Sequence, residues 1–142
     1  MKTITVFLLL VAITVSGYAQ DVIIPNNEIP VEIKSYIKTH FPTESISQAT
    51  KDKEAFKIDY EIILSNLTDL EFNKKRQITD IDSKSKLPNS VIPGKILTYV
   101  TLNYPNSFIK SWKLDDNNQK IKLDNDLELK FSMNGTFIRL DD

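Results

Sequence analysis

Apolar residues recur with helical spacing in two segments of the chain. In the first segment Ile33, Ile37 and Phe41 fall about every four residues, which predicts one buried face of an α-helix. The same series returns in the second half of the chain as Ile96, Val100 and Tyr104. Both segments begin with Ile-Pro and end with an aromatic residue before Pro, at Ile29-Pro30, Phe41-Pro42, Ile92-Pro93 and Tyr104-Pro105. This match predicts an internal duplication in which each helix ends before its second proline.

After each helix the apolar period shortens to two residues, which is typical of strands with one buried face. In the second copy Ile121 and Leu123 alternate with polar residues, and the alternation continues over residues 127–133 and 136–141. Between the last two strands, Asn134-Gly135 predicts a hairpin with a type I′ turn.

The first copy alternates in the same way over residues 57–62 and 69–73. Lys74-Lys75-Arg76 follows, and we interpret this basic run as a solvent-exposed turn. The first copy has no Asn-Gly pair at this place, so its hairpin signal is weaker than that of the second copy.

An insertion distinguishes the first copy from the second. Tyr60 aligns with Leu123, but Leu70 aligns with Leu129, so the offset between the copies becomes shorter along these strands. We therefore place four extra residues of the first copy around residues 63–68.

Helices and strands with one apolar face each must bury those faces against one another. We predict an α+β fold of two tandem repeats, each a helix followed by an antiparallel meander. Because a unit of about 60 residues has a marginal core alone, we expect one continuous antiparallel sheet with both helices on one face. The predicted organisation is repeat one over residues 20–82, a linker over 83–91 and repeat two over 92–142.

Residues 1–19 have the layout of a secretory signal peptide. Lys2 precedes an apolar run from Ile4 to Val15, and small residues at Gly17 and Ala19 mark a cleavage site. The run is shorter than the roughly 20 residues that span a bilayer. We expect a periplasmic or secreted protein with no membrane span after cleavage and, because the chain has no Cys, no lipid-modified N-terminus.

Composition and charge exclude several kinds of chemistry. With no Cys, one His and three separated Gly, the chain has no thiol nucleophile, two-histidine zinc motif or glycine-rich phosphate loop. Residues 20–142 carry 17 basic and 19 acidic side chains, a net charge of −2 that argues against nucleic-acid binding. The segment from Asp124 to Glu128 begins like a calcium loop but lacks its Gly and final Glu. We predict no catalytic residue, no metal site and no cofactor, and a protein that is not an enzyme.

Candidate binding residues lie on the sheet face opposite the helices. In the last strand Ile138 and Leu140 alternate with Phe137 and Arg139. If the two aliphatic residues are buried, the candidate face holds Lys122, Glu128, Lys130, Phe137 and Arg139. An aromatic residue and Arg among mixed charges suit a protein interface, where both are enriched. The single Trp, Trp112, shares its strand parity with apolar residues and is assigned to the core.

The order of these motifs resembles that of the PepSY-like family of exported bacterial proteins, also described as similar to the β-lactamase inhibitor protein. The resemblance rests on Ile-Pro, a short helix, aromatic-Pro, a strand through Trp112 and a meander closed by Asn134-Gly135. It covers roughly residues 25–142. The first copy departs from the pattern, with Ala49 in place of Trp112 and no glycine in its last turn. The resemblance implies a tandem α+β repeat whose free sheet face binds a protein partner.

Three kinds of function are compatible with this sequence. We favour an exported binding module that holds or inhibits an envelope protein through the open sheet face. The alternative is a periplasmic carrier of a small ligand or peptide, which requires a concave pocket. An envelope hydrolase would require converging ionisable groups with shifted pKa values, and no motif in the sequence supports one.

Overall fold

One antiparallel sheet organises the structure, a computed structural model that describes residues 21–54 and 57–141. Its nine strands lie side by side in the order in which they occur along the chain. They are β1 (Val22–Ile23), β2 (Ile46–Glu54), β3 (Lys57–Leu64), β4 (Asp69–Phe72), β5 (Ile78–Asp82), β6 (Ile109–Asp115), β7 (Asn118–Leu123), β8 (Glu128–Ser132) and β9 (Phe137–Leu140).

Two helices of ten residues, α1 (Val31–His40) and α2 (Gly94–Asn103), cover one face of the sheet. Each helix begins directly after a proline, which holds the N-cap position. The rings of Tyr36 in α1 and Phe72 are nearly perpendicular, with centroids 5.4 Å apart, and Tyr99 in α2 packs on Phe131 in the same way. The predicted α+β fold, with tandem repeats and both helices on one face of a continuous sheet, is confirmed.

The repeats join in the middle of the sheet, where β5 pairs with β6. Ile81 of β5 lies opposite Trp112 of β6, and both side chains are buried. The segment between the strands continues this contact, because the Leu87 N–H donates to the Ile109 carbonyl at 2.9 Å and the Leu87 side chain is buried. The two repeats therefore share one hydrophobic core.

Trp112 is a core residue, as its strand parity predicts. Its indole N–H donates to Oε1 of Gln119 at 2.9 Å. The Gln119 amide nitrogen donates in turn to the backbone carbonyls of Ser132 and Met133, at 3.1 and 3.2 Å. Because the indole and the amide are both buried, this chain of hydrogen bonds satisfies polar groups that would otherwise destabilise the core.

Four hairpins of the sheet close with the same three-residue loop, whose last residue has a positive φ. In the final hairpin this residue is Gly135, with φ 83°, as the glycine there predicts. Leu67, Arg76 and Asp126 hold the equivalent positions, with φ of 65°, 62° and 66°. The predicted hairpin is confirmed, but its assignment to type I′ is wrong, because Asn134 lacks the positive φ that this type requires.

The extra residues of the first repeat lengthen the β2–β3 hairpin beyond its base, so their predicted place near residues 63–68 is wrong. Ile46 pairs with Leu64 at the base of this hairpin, as Ile109 pairs with Leu123 in the second repeat. From these bases β2 and β3 extend over 9 and 8 residues, whereas β6 and β7 extend over 7 and 6. Alternation could not locate the insertion, because a shift by an even number of residues leaves every side chain on the same face.

Candidate functional site

The sheet face opposite the helices is open and carries a row of charged side chains. Each strand from β3 to β9 contributes one residue in register with the next, namely Glu61, Glu71, Asp80, Lys113, Lys120, Lys130 and Arg139. Successive side chains of a strand point to opposite faces, so neighbours such as Ile62, Leu70 and Ile81 are buried under the helices. This charged row changes sign once, at the boundary between the repeats.

The acidic end of the charged row, together with Asp69, holds carboxylates side by side. The pKa of Asp69 is raised to about 7, mainly by burial and further by repulsion from Glu61, Glu71 and Asp80. Burial and the charge of Glu71 raise the pKa of Asp80 to about 6. Among the residues that the structure describes, no Lys or Arg forms an ion pair with any of these four carboxylates.

The basic end of the charged row is neutralised by carboxylates of the same chain. Asp115 lies 3.2 Å from the ammonium groups of both Lys120 and Lys130. Asp141 pairs with Lys120 at 2.6 Å and with Arg139 at 2.8 Å. Hydrogen bonds from Lys120 and Arg139 lower the pKa of Asp141 to about 2. Lys120, Lys130 and Arg139 therefore have their own counter-charges. At the boundary between the repeats, Lys113 lies across from Asp80 and partly offsets the rise in the pKa of that carboxyl.

Four of the five predicted binding residues lie on the open face. Lys130 and Arg139 belong to the charged row. Lys122 and Glu128 are cross-strand partners in the neighbouring row, and their side chains form an ion pair of 2.9 Å. Strand alternation accounts for all four positions. Their role in binding stays a prediction.

The predicted place of Phe137 on the open face is wrong. Its ring stacks on Tyr99 of α2, with centroids 4.7 Å apart, and packs at a steep angle against the ring of Phe131. The cause is a β-bulge, since the register between β8 and β9 shifts next to the Phe131–Phe137 pair. A bulge adds one residue to a strand, so Phe137 and Arg139 point to opposite faces. Ile138, which is the extra residue, is exposed instead of buried.

Sequence reasoning missed the acidic end of the charged row. Glu61 and Glu71 read as polar positions of two different strands, and only the register of those strands brings them together. One signal was present, because equivalent positions in the two repeats have opposite charges. Glu71 and Asp80 correspond to Lys130 and Arg139 when the last two strands of each repeat are aligned.

Within residues 21–54 and 57–141, no group of three or more His, Asp or Glu side chains is placed to hold a metal ion. The segment that resembles a calcium loop is the β7–β8 turn, and Asp126 within it pairs with Lys110. The single His, His40, places Nδ1 2.9 Å from the Ser90 hydroxyl, which connects the end of α1 to the turn before α2.

The fold and the open face define a tandem α+β repeat protein that presents a charged sheet surface. The chain belongs to the PepSY-like family. The family described as "Putative beta-lactamase-inhibitor-like, PepSY-like" matches residues 17–79 and again residues 58–139. The resemblance inferred from the sequence is therefore confirmed. No curated protein is significantly similar to the chain.

Three solved structures of similar proteins come from Bacteroides species. A "putative periplasmic protein" of the DUF2874 family from Bacteroides vulgatus is 34% identical, with a TM-score of 0.81 over 89% of this chain and 100% of that one. A "putative calcium-regulated periplasmic protein" from Bacteroides thetaiotaomicron is 31% identical, with a TM-score of 0.80 over 86% and 97%. A second Bacteroides vulgatus protein, of unknown function, is 28% identical, with a TM-score of 0.80 over 87% and 100%.

The periplasmic descriptions of these relatives agree with the predicted export of this chain. No helix among the described residues is long and apolar enough to cross a membrane. The predicted signal peptide, residues 1–19, lies outside the described residues.

Proposed function

We propose that this protein is an exported, non-enzymatic module that holds or inhibits an envelope protein through its open sheet face. The observation that carries the proposal is the acidic end of the charged row. Like charges that are cross-strand neighbours destabilise a sheet. Glu71 lies between Glu61 and Asp80, and neither Glu61 nor Glu71 forms an ion pair with Lys or Arg in the described residues, whereas Asp80 has Lys113 on its other side. A partner that presents Lys or Arg side chains there would relieve this repulsion and be steered toward the face.

The alternative function, a carrier of a small ligand or peptide, requires an enclosed site. The depression at the centre of the open face has a volume of about 300 Å³ and is lined mainly by charged side chains, including Glu71, Asp80, Lys113 and Lys122. Pockets that bury small ligands usually have volumes of roughly 300 to 1,000 Å³ and are mostly apolar, so this depression is at the lower limit of size and differs in its charged lining. The shape and charge of the face therefore favour a protein partner.

Affinity capture from envelope extract of the source organism tests the proposal, with the tagged protein as bait. The variant Glu71→Gln/Asp80→Asn removes two carboxylates from the charged row, and Lys130→Gln/Arg139→Gln removes two predicted binding residues at its basic end. A matched control, Glu28→Gln/Glu32→Gln, removes two carboxylates at the start of α1 and in the turn before it. Circular dichroism and urea unfolding establish that each bait is folded.

We expect one protein to be retained by the parent and the control, released by moderate salt, and lost by the variant of the acidic end. Equal retention by all folded baits would overturn the open face as the binding surface. If no protein is retained reproducibly at low salt, the binding proposal fails. Thermal-shift measurements with peptides and small charged ligands then test the carrier alternative.

A further inference from the structure

The outer edge of β9 combines exposed aliphatic side chains with unpaired backbone groups. Ile138 and Leu140 are 47% and 46% exposed. The Asp141 N–H donates to the Glu128 carbonyl of β8. Because backbone groups of successive strand residues point to opposite sides, the N–H and C=O of Leu140 point away from β8. Within the described part of the chain no strand covers this edge, since β9 is the last strand of the sheet.

The duplication shows how the equivalent edge in the first repeat is covered. The β4–β5 hairpin corresponds to β8–β9 of the second repeat, and both contain a register shift at the same place. Leu140 therefore corresponds to Ile81, which is 0% exposed because β6 lies beside it. This internal junction places an apolar pair, Ile81 and Trp112, under the helices and an oppositely charged pair, Asp80 and Lys113, on the open face.

We propose that a second copy of the chain covers the β9 edge, so that β9 pairs antiparallel with the partner's β9 around a two-fold axis at Leu140. In this register Leu140 lies opposite the partner's Leu140, and the backbone groups that point outward form two hydrogen bonds between the chains. Arg139 lies opposite the partner's Asp141, and the symmetry produces this charged pair twice. The interface repeats the pattern of the internal junction.

Charge selects this register over its nearest alternative. A two-fold axis at Arg139 would place Arg139 opposite the partner's Arg139, and like charges directly opposite one another are destabilising. A slip of the pairing by a single residue, which is a different register, is also disfavoured, because it would place the helix side of one strand against the open side of the other. In the proposed dimer the two basic ends of the charged rows meet at the centre, and the two acidic ends remain free.

Sedimentation equilibrium across roughly a hundredfold range of protein concentration tests the association. We expect the mass to rise from one chain to two and to stop there. Leu140→Lys and Arg139→Asp should each shift the equilibrium to the monomer. The charge-exchanged variant Arg139→Asp/Asp141→Arg restores opposite charges across the axis and should restore the dimer. A monomer at every concentration, or assemblies that grow beyond two chains, would overturn the proposal.

A pair of cysteine variants tests the register, and the chain has no other Cys. Hydrogen-bonded partners in antiparallel strands have Cα atoms about 5.5 Å apart, within the range of a disulfide. Leu140→Cys should therefore form a covalent dimer under mild oxidation. Ile138→Cys is the matched control, equally exposed but about 13 Å from its symmetry mate in this register. Equal cross-linking of the two variants, or faster cross-linking of Ile138→Cys, would refute the pairing at Leu140.

Discussion

Replacement of Asp69 by Asn should stabilise the protein above neutral pH. Asp69 begins β4 beside the acidic end of the charged row, and its Oδ1 is buried without a hydrogen-bond partner. Burial and the charges of Glu61, Glu71 and Asp80 all oppose its ionisation. Asn has nearly the same shape, carries no charge and donates a hydrogen bond to a neighbouring carboxylate, so Asp69→Asn removes the unfavourable charge without leaving a cavity.

The size of the effect follows from the pKa of Asp69, which rises from an ordinary value of 3.8 to about 7 in the folded protein. If this rise in pKa acted in full on the folded protein, ionised Asp69 would lower the free energy of unfolding by roughly 4 kcal/mol. Because the side chain is partly exposed and solvent screens its charge, we expect about 1–2 kcal/mol. For a chain of this length that is a rise in Tm of roughly 3–6 °C.

The gain should depend on pH in a defined direction. Between the unfolded pKa of 3.8 and the folded pKa of about 7, the folded state of the parent binds more protons at Asp69 than the unfolded state. Stability of the parent therefore falls as the pH rises through this window. Asp69→Asn has no such proton to lose. Its advantage should be absent below about pH 4 and complete above about pH 7.

Urea unfolding at several pH values, followed by Trp112 fluorescence, measures this difference. Glu28→Gln is the control, because it removes one carboxylate from the turn before α1 instead of the open face. An equal gain for Asp69→Asn at low and high pH would refute the electrostatic explanation. A loss of stability at high pH would show that ionised Asp69 is held by favourable contacts.

Three further substitutions test the turns and the core. Leu67→Gly should stabilise the protein by about 0.5–1 kcal/mol in urea unfolding, because a leucine at φ 65° is strained. The side chain is 62% exposed, so its removal loses little packing. A lower urea midpoint would contradict this explanation. Gly135→Ala should destabilise the protein by about 1–3 kcal/mol in thermal unfolding, because the residue has φ 83° and a Cβ there would lie 2.8 Å from Cβ of Lys95. An unchanged Tm would show that alanine is not strained at this position. Gln119→Met should lower the free energy of unfolding by about 2–3 kcal/mol, because it leaves the buried indole N–H of Trp112 without a hydrogen-bond acceptor. The fluorescence of the folded protein should change for the same reason. An unchanged stability would show that water replaces the amide.

Local signals were sufficient to predict the elements of this fold. The apolar spacing and the flanking prolines of each helix act over a few residues, and α1 and α2 begin and end where those signals place them. The same holds for the hairpin at Gly135, because a positive φ there suits glycine whichever strands follow. The repetition of the whole pattern then predicted two equivalent units that bury their apolar faces together.

Part of the candidate site was predictable for the same reason. Alternation assigns the side chains of one strand to two faces, so Lys122, Glu128 and Lys130 were found on the open face from their own strands. Alternation no longer predicts the face of a side chain where the backbone departs from a regular strand. The bulge before Arg139 adds one residue that no side-chain pattern marks, and Phe137 consequently packs on α2.

Tertiary structure alone decided which residues meet across neighbouring strands. Glu71 lies between Glu61 and Asp80 because backbone hydrogen bonds set the register of β3, β4 and β5. Turn lengths and bulges determine that register, and their effects accumulate from strand to strand. The alternation of side chains can be recognised in one strand by itself, whereas a contact between strands depends on how two strands are aligned. The acidic end of the row, and the shifted pKa values within it, could therefore emerge only once the sheet was assembled.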